Sequence, residues 1–399
     1  MHRTPPHFAT LVALTGLSTL TLNMFLPSLA GIALTFDVPY SAAALAVSGY
    51  LGVTAVLQII IGPLSDRFGR RPVLLVALAL FAVASFGAAQ AHSIEAFLGW
   101  RTLQGAVIAG GALSQAMVRD TSSREEAAGR LGYIAMAMAV VPMMGPVVGG
   151  VLDAAFGWRA SFLLFGALGV GLLLVALWDV GETNTQRSGS FGAQMRAYPA
   201  LLGASAFWGY ALCTAFGTSA FYAFLTGVPL IAGPVLGLSP ALLGVGLGSI
   251  TAGYAFGSFW AGRLAGRWPV FRVMLLGRAV ALVGLCLGLV LIGLGHVSVA
   301  GVFGATLCVG ISNGLSLPGS NAGAMSVRPD LAGSAAGLNG ALNVGTGAVV
   351  TSLVGVLVTH APFAATLLSA MLACVVISTA GVLIARQGEA RLSSGAASG

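Results

Sequence analysis

The sequence predicts an all-α integral membrane protein of twelve transmembrane helices in two six-helix halves. Three observations carry that prediction. The chain of 399 residues is 57% hydrophobic and only 7% charged, with a mean hydropathy of +0.95. Runs of about 20 apolar residues are the mark of membrane-spanning helices. Its 18 cationic residues are all arginine and gather on alternate loops. Stretches that follow particular apolar runs in the first half return, altered, in the second.

The apolar runs place spans near 9–31, 42–63, 73–91, 94–117, 131–152, 160–180, 200–223, 240–262, 270–294, 297–320, 333–357 and 363–385. Short loops join them and leave no room for a sizeable soluble domain. The first run is long, and only His2 and Arg3 charge its start, so it reads as span 1 and not as a cleaved signal segment. Span 2 ends in "GPLSDRFGRRPVLL" (62–75), which crowds Asp66, Arg67, Arg70 and Arg71 into six positions. Span 4 contains "RTLQGAVIAGG" (101–111), placing Arg101 about two turns inside the membrane beside Gln104. A charge there is costly and is by default functional. Span 5 contains "GYIAMAMAVVPMMGPVVGG" (132–150). Its Pro142 and Pro146 should bend the helix, and its glycines should let it pack closely.

Residues 182–198 form the longest polar stretch and divide a first bundle (1–181) from a second (199–399), which ends in a short tail. "AGRLAGRWPVFRVMLL" (261–276) after span 8 echoes the stretch after span 2, keeping the arginines and losing the acid. "SVRPDLAGSAAGLNG" after span 10 echoes "RDTSSREEAAGRLG" after span 4. Gly244, Gly248, Gly253 and Gly257 of span 8 suit close helix packing in lipid. Arg278, on span 9, is expected to sit on a peripheral helix and to snorkel to the cytoplasmic face.

With the N-terminus inside, fifteen arginines fall on inside segments, Arg159 alone lies outside, and Arg101 and Arg278 lie within spans. Positive residues stay on the cytoplasmic side, so both termini are expected there. The net charge of +7 is then topological and implies no nucleic acid. Cys213, Cys286, Cys308 and Cys374 lie within spans without metal-ligand spacing, and the five histidines are terminal or outside. No His/Cys/Asp/Glu constellation for catalysis or metal binding is present, and a chain without lysine has no G-x-x-x-x-G-K-[ST] nucleotide loop. The expected partners are membrane lipid and a small-molecule substrate, with no cofactor and with a monomer sufficient.

The stretch after span 2 resembles the loop signature of the major facilitator superfamily at Gly62, Leu64, Asp66, Arg67, Gly69, Arg70 and Arg71. "RTLQGAVIAGG" and the span 5 glycines Gly132, Gly145, Gly149 and Gly150 are similar to signatures of its proton-driven exporters, although Val141 stands where the second pattern has glycine. With "VRD" (118–120), "GWR" (157–159) and "LAGSAAGLNGAL" (331–342), the chain resembles the bicyclomycin and chloramphenicol resistance subfamily of drug:proton antiporters. The resemblance implies two parallel six-helix repeats rocking about a central cavity. It implies that Asp66 meets the cytoplasmic start of span 11, with Arg130 in the same charge cluster. It also implies protons as the coupling partner.

Span 1 departs from that pattern. Asn23-Met24-Phe25-Leu26-Pro27 stands where the subfamily has Asp-Met-Tyr-Leu-Pro, and no other Asp or Glu lies mid-span. Family geometry lines the path with spans 1, 2, 4, 5, 7, 8, 10 and 11. The cavity candidates are therefore Asn23, Tyr50, Gln58, Arg101, Gln104, Gln115, Tyr210, Asn313, Asn339 and Asn343, with Trp208 and Tyr222 as membrane-belt alternatives. Export of small organic compounds is the expected activity. An importer of a neutral or anionic metabolite is the alternative, and a membrane-embedded enzyme or a sensor are remoter ones.

Overall fold

The computed structural model describes residues 6–122, 124–184, 199, 201–233, 235–328, 331–360 and 364–396; positions 185–198 of the expected linker lie outside them. Among the described residues there is no strand. Span 1 is Phe8–Thr35, span 2 Tyr40–Phe68 and span 3 Arg70–Ala89. Span 4 comprises Ile94–Gln104, a 3-10 turn Gly105–Val107, and Ile108–Thr121. Span 5 is Arg124–Phe156 and span 6 Arg159–Asp179. The second set is span 7 Ser205–Ala232, span 8 Pro240–Leu264, span 9 Val270–Gly293, span 10 Val299–Ser326, span 11 Ala332–His360 and span 12 Ala364–Ala396.

Ten helices among the described residues are long and apolar enough to cross a membrane. The other two places belong to span 4, which its 3-10 turn divides, and to span 5, whose described apolar part is Met144–Phe156. Span 1 also breaks, with its α-helix ending at Asn23 and a 3-10 turn covering Leu26–Ser28. Pro27 explains this, because it lacks an N–H and its ring opposes the α-helical carbonyl four residues back. Span 5 runs as one helix through Pro142 and Pro146. Span 7 lies further along the chain than expected, continuing through buried Tyr222, Thr226 and Pro229. Span 12 continues eleven residues past the expected end at 385, through Arg386, Glu389 and Arg391.

The chain divides into two compact units: residues 1–191 with 239–245, and residues 192–238 with 246–399. The first unit is knitted at one end by aromatic rings. Phe97 of span 4 meets Trp158 and Phe162 edge-on at 5.4 and 5.2 Å, and Phe162 continues to Phe165 and to Phe25 of span 1. Spans 1 and 5 touch backbone to backbone, since a Cβ on Gly149 would lie 1.5 Å from the Met24 carbonyl oxygen. Asp179, ending span 6, accepts from the His7 amide (3.0 Å) and the Thr10 hydroxyl (2.6 Å). A carboxylate there complements the positive start of span 1. In the second unit, Phe207 and Tyr210 of span 7 pack with Met274, Ala324, Ala335 and Val382, joining spans 7, 9, 10, 11 and 12.

Candidate functional site

Arg101 forms the polar centre of the first unit. Its side chain is 1% exposed. Its Nε donates to the Ala46 carbonyl of span 2 (3.2 Å), one terminal nitrogen to the Gln104 Oε1 (2.7 Å), and the other to the Thr21 carbonyl of span 1 (2.8 Å). Gln104 in turn donates to the Ser85 hydroxyl of span 3 at 2.7 Å. The guanidinium also sits 4.3 Å from the Phe25 ring centroid and 4.2 Å from that of Tyr50. Five fixed donors need acceptors when desolvated. Three spans and two aromatic faces supply them, and no carboxylate pairs with Arg101 among the described residues. Asn23 is not one of its partners. The Asn23 amide donates to the Thr19 carbonyl (2.8 Å), its Cβ faces Gly145 of span 5, and its Oδ1 is buried without a partner among the described residues.

Arg278 corrects the expectation of a snorkelling residue. It is fully buried, with Nε on the Ser316 hydroxyl and one terminal nitrogen on the Asn313 Oδ1, both at 3.2 Å. Asn313 donates to the Gly217 carbonyl of span 7 at 2.8 Å. Snorkelling relieves a cation only where nothing inside accepts from it; here span 10 faces span 9 with an amide and a hydroxyl. The two units thus repeat one device: a guanidinium, an amide on the fourth span, and a carbonyl on the first. The guanidinium comes from the fourth span of one unit and the third span of the other.

A second cluster lies at the end of the first unit where spans 2 and 3 meet. Asp66 pairs with Arg70 at 2.6 Å, and Arg70 Nε reaches Asp120, at the end of span 4, at 3.2 Å. Arg70 also contacts the Ser65 hydroxyl. Arg71 donates to the Leu177 carbonyl of span 6 at 2.8 Å. Arg130 takes no part in this pairing; it donates to the Ser122 hydroxyl at 3.0 Å. That corrects its expected place, because Arg70, four residues along the same turn, already holds the acid. Residues 182–184 close the cluster. Glu182 accepts from the Arg70 and Arg71 amides (2.9 and 3.3 Å), Thr183 donates to Asp120 (3.1 Å), and Asn184 donates to the Asp66 carbonyl (3.0 Å). The start of the expected linker therefore caps span 3 and the end of span 2 together.

Gly69 makes this turn possible. Its φ is +99°, and a Cβ there would lie 2.2 Å from a Glu182 carboxylate oxygen. Gly69→Ala is expected to destabilise the protein by about 1–3 kcal/mol, the usual cost of a non-glycine residue in such a conformation. A lowered melting temperature in detergent checks this, and an unchanged one would show that the turn is not held by Glu182.

The sequence matches the Major Facilitator Superfamily over residues 11–352. The chain belongs to the major facilitator superfamily. This transporter is 32% identical over 271 residues to a chloramphenicol resistance protein of Pseudomonas aeruginosa, covering 67% of this chain and 64% of the relative. It is 28% identical over 351 residues to multidrug resistance protein D of Escherichia coli (strain K12), covering 86% of each. Its fold is similar to that of a bacterial homolog of the human lysosomal transporter Spinster, with a TM-score of 0.73 at 16% identity over 96% of each chain. The nucleoside transporter NupG gives the same TM-score at 14% identity over 96% of this chain and 99% of that one. The chain is thus a multi-pass membrane transporter and not an enzyme.

The remaining candidates of this transporter scatter. Tyr50 joins Arg101, while Gln58 and Gln115 are partly buried on spans 2 and 4. Tyr210 is 2% exposed, its ring stacked on Phe271 and its hydroxyl bonded to Glu389 of span 12, so it stands apart from the Asn313 node. Asn339 donates to the Asn321 Oδ1 at 2.9 Å. The Oδ1 atoms of Asn339 and Asn343 are both buried without a partner among the described residues. Trp208 donates to the Leu202 carbonyl, and Tyr222 packs against Gly347 of span 11. Gly62 has open space where a Cβ would stand. Gly150 is buried, whereas Gly132 and Pro142 lie on span 5 where side chains are outside the described residues. Sequence reasoning missed Ser85, Glu182 and Ser316, and it named Asp120 and Asn313 without their arginine partners. The i, i+3 spacing of Arg101 and Gln104 was the one local signal available.

Proposed function

We propose that this transporter exports small organic compounds, antibiotics among them, by alternating access of two six-helix halves, with both termini cytoplasmic. The observation that carries the reading is the buried, acid-free Arg101 node within a chain related to drug-resistance proteins. A fixed positive charge with no carboxylate beside it disfavours lipophilic cations and favours neutral or anionic compounds. The unpartnered Oδ1 atoms of Asn23, Asn339 and Asn343 are acceptors that a substrate donor could satisfy. The halves are 1–181 and 199–399 with 182–198 as linker, and a monomer suffices. The test is a resistance and uptake screen of expressing cells with neutral, anionic and cationic compounds, with and without an uncoupler. Extrusion confined to cations would overturn the reading.

One observation favours a second reading, uptake or facilitated passage of a neutral or anionic metabolite: position 23 is an amide. An amide carries no transportable proton. Substrate binding in lightly buffered detergent is therefore expected to release no proton from the interior, and Asn23→Asp is expected to make transport steeper in pH. Release of about one proton per substrate by the wild type would place the coupling group elsewhere.

A further inference from the structure

Spans 2, 3 and 4 part from one another beside the Asp66–Arg70 turn and leave a crevice of about 430 Å³. Its floor is small or buried: Ile61, Ala77 and Ala109. Its exposed rim is Leu64, Phe68 and Val76. No polar side chain lines it. The lining of span 2 runs from Leu57 to Phe68, which is about 16 Å along a helix axis. That is close to half of a hydrocarbon core about 30 Å thick. The crevice is therefore one leaflet deep and begins at the end of the span, where headgroups lie. Arg67 stands there, exposed, with its guanidinium 5.4 Å from the centroid of the rim residue Phe68 and with no ion pair among the described residues.

We propose that this crevice is a specific phospholipid site, holding one acyl chain of an anionic lipid whose phosphate pairs with Arg67. The wall chemistry selects hydrocarbon, because sites for drug-like molecules carry a few placed polar groups and this one has none. The depth selects a chain from a single leaflet. The free guanidinium selects an anionic headgroup over a zwitterionic one, since juxtamembrane arginines attract acidic lipids. The alanines at 77, 106 and 109 create the space; larger side chains at these positions would close it.

The test uses the full chain in nanodiscs containing phosphatidylglycerol or phosphatidylcholine, each with an acyl-chain diazirine, and maps photolabelled peptides by mass spectrometry. Phosphatidylglycerol is expected to label residues 57–80 at least threefold more than the exposed face of span 9 around Val283, Leu287 and Val290. Phosphatidylcholine should show a smaller preference. Arg67→Gln, on the surface, should remove the difference between the two lipids, and Ala77→Phe should lower labelling by both. Equal labelling of all exposed faces would make this ordinary boundary lipid. A wild-type preference unmoved by Arg67→Gln would also overturn the proposal. So would displacement of the label by a transported drug with no effect of headgroup, which would make the crevice a drug entry port.

Discussion

Arg101→Ala is expected to abolish transport while the protein still inserts. The guanidinium ties together spans 1, 2 and 4 directly and span 3 through Gln104 and Ser85. Its removal leaves the Gln104 Oε1 without its donor and frees the Phe25 and Tyr50 faces that enclose it. Unmade buried hydrogen bonds cost about 1–3 kcal/mol each. The Ala46 carbonyl stays within the helical ladder of span 2, whereas the Thr21 carbonyl lies in the last turn before the break in span 1 and loses the donor that Arg101 supplies there. Arg101→Lys keeps the charge but cannot reach three acceptors in one plane. It is expected to retain weak activity, roughly tenfold or more below wild type, equivalent to about 1.4 kcal/mol or more. Because the charge acts over distance, Arg101→Ala should weaken binding of acidic substrates more than of neutral ones. Proteoliposome uptake at matched protein levels, with binding measured in parallel, checks both variants. Full activity in Arg101→Ala would make the residue purely structural and would remove the basis for an anionic preference.

Arg101 and Arg278 show what a sequence reveals of such a node and what it withholds. Both are visible as cations inside apolar runs. For Arg101 the partner Gln104 stands three residues along, on the same helix face, so a local arrangement could be read. For Arg278 the acceptors are Asn313, 35 residues away, and Ser316, 38 away, and only tertiary packing brings them together. Without them the physical default for a cation on a peripheral span is to snorkel. The twelve apolar runs were legible because hydrocarbon demands continuous apolar length. Their ends were not, because a helix such as span 12 continues through Arg386 and Glu389 once Glu389 meets Tyr210 and Gly388 packs on Ala206. The Asp66–Arg70 turn was visible as a charge cluster and as a family signature. Its closure by Glu182, Thr183 and Asn184 was not, because a short polar segment has no periodicity that states where its side chains go.

Asp66→Asn is the second change with a large expected effect. The substitution keeps the size of the side chain, exchanges one acceptor oxygen for an amide donor and removes its charge, leaving Arg70 with Asp120 alone as an ion-pair partner. The Asp66 and Arg70 side chains are 34% and 13% exposed, so their pair contributes about 1 kcal/mol or less to stability, and folding should survive. Transport should nevertheless fall about tenfold or more, if, as the resemblance to the family signature implies, Asp66 meets the start of span 11 in one state of the cycle. An anion at a helix start is favoured by about 0.3–1 kcal/mol, and more when partly buried, enough to shift a finely balanced two-state equilibrium. The measurement that separates this from a folding defect is accessibility. In a background without the four native cysteines, a cysteine at Ser334, near the start of span 11, should react faster with an impermeant maleimide when Asp66 is Asn. Asp120→Asn should raise that reactivity less, since Asp120 contacts Arg70 and Thr183 but not Asp66. Wild-type transport by Asp66→Asn, or unchanged reactivity at position 334, would reduce Asp66 to a charged flank that sets topology and leave the closure of this face to other contacts.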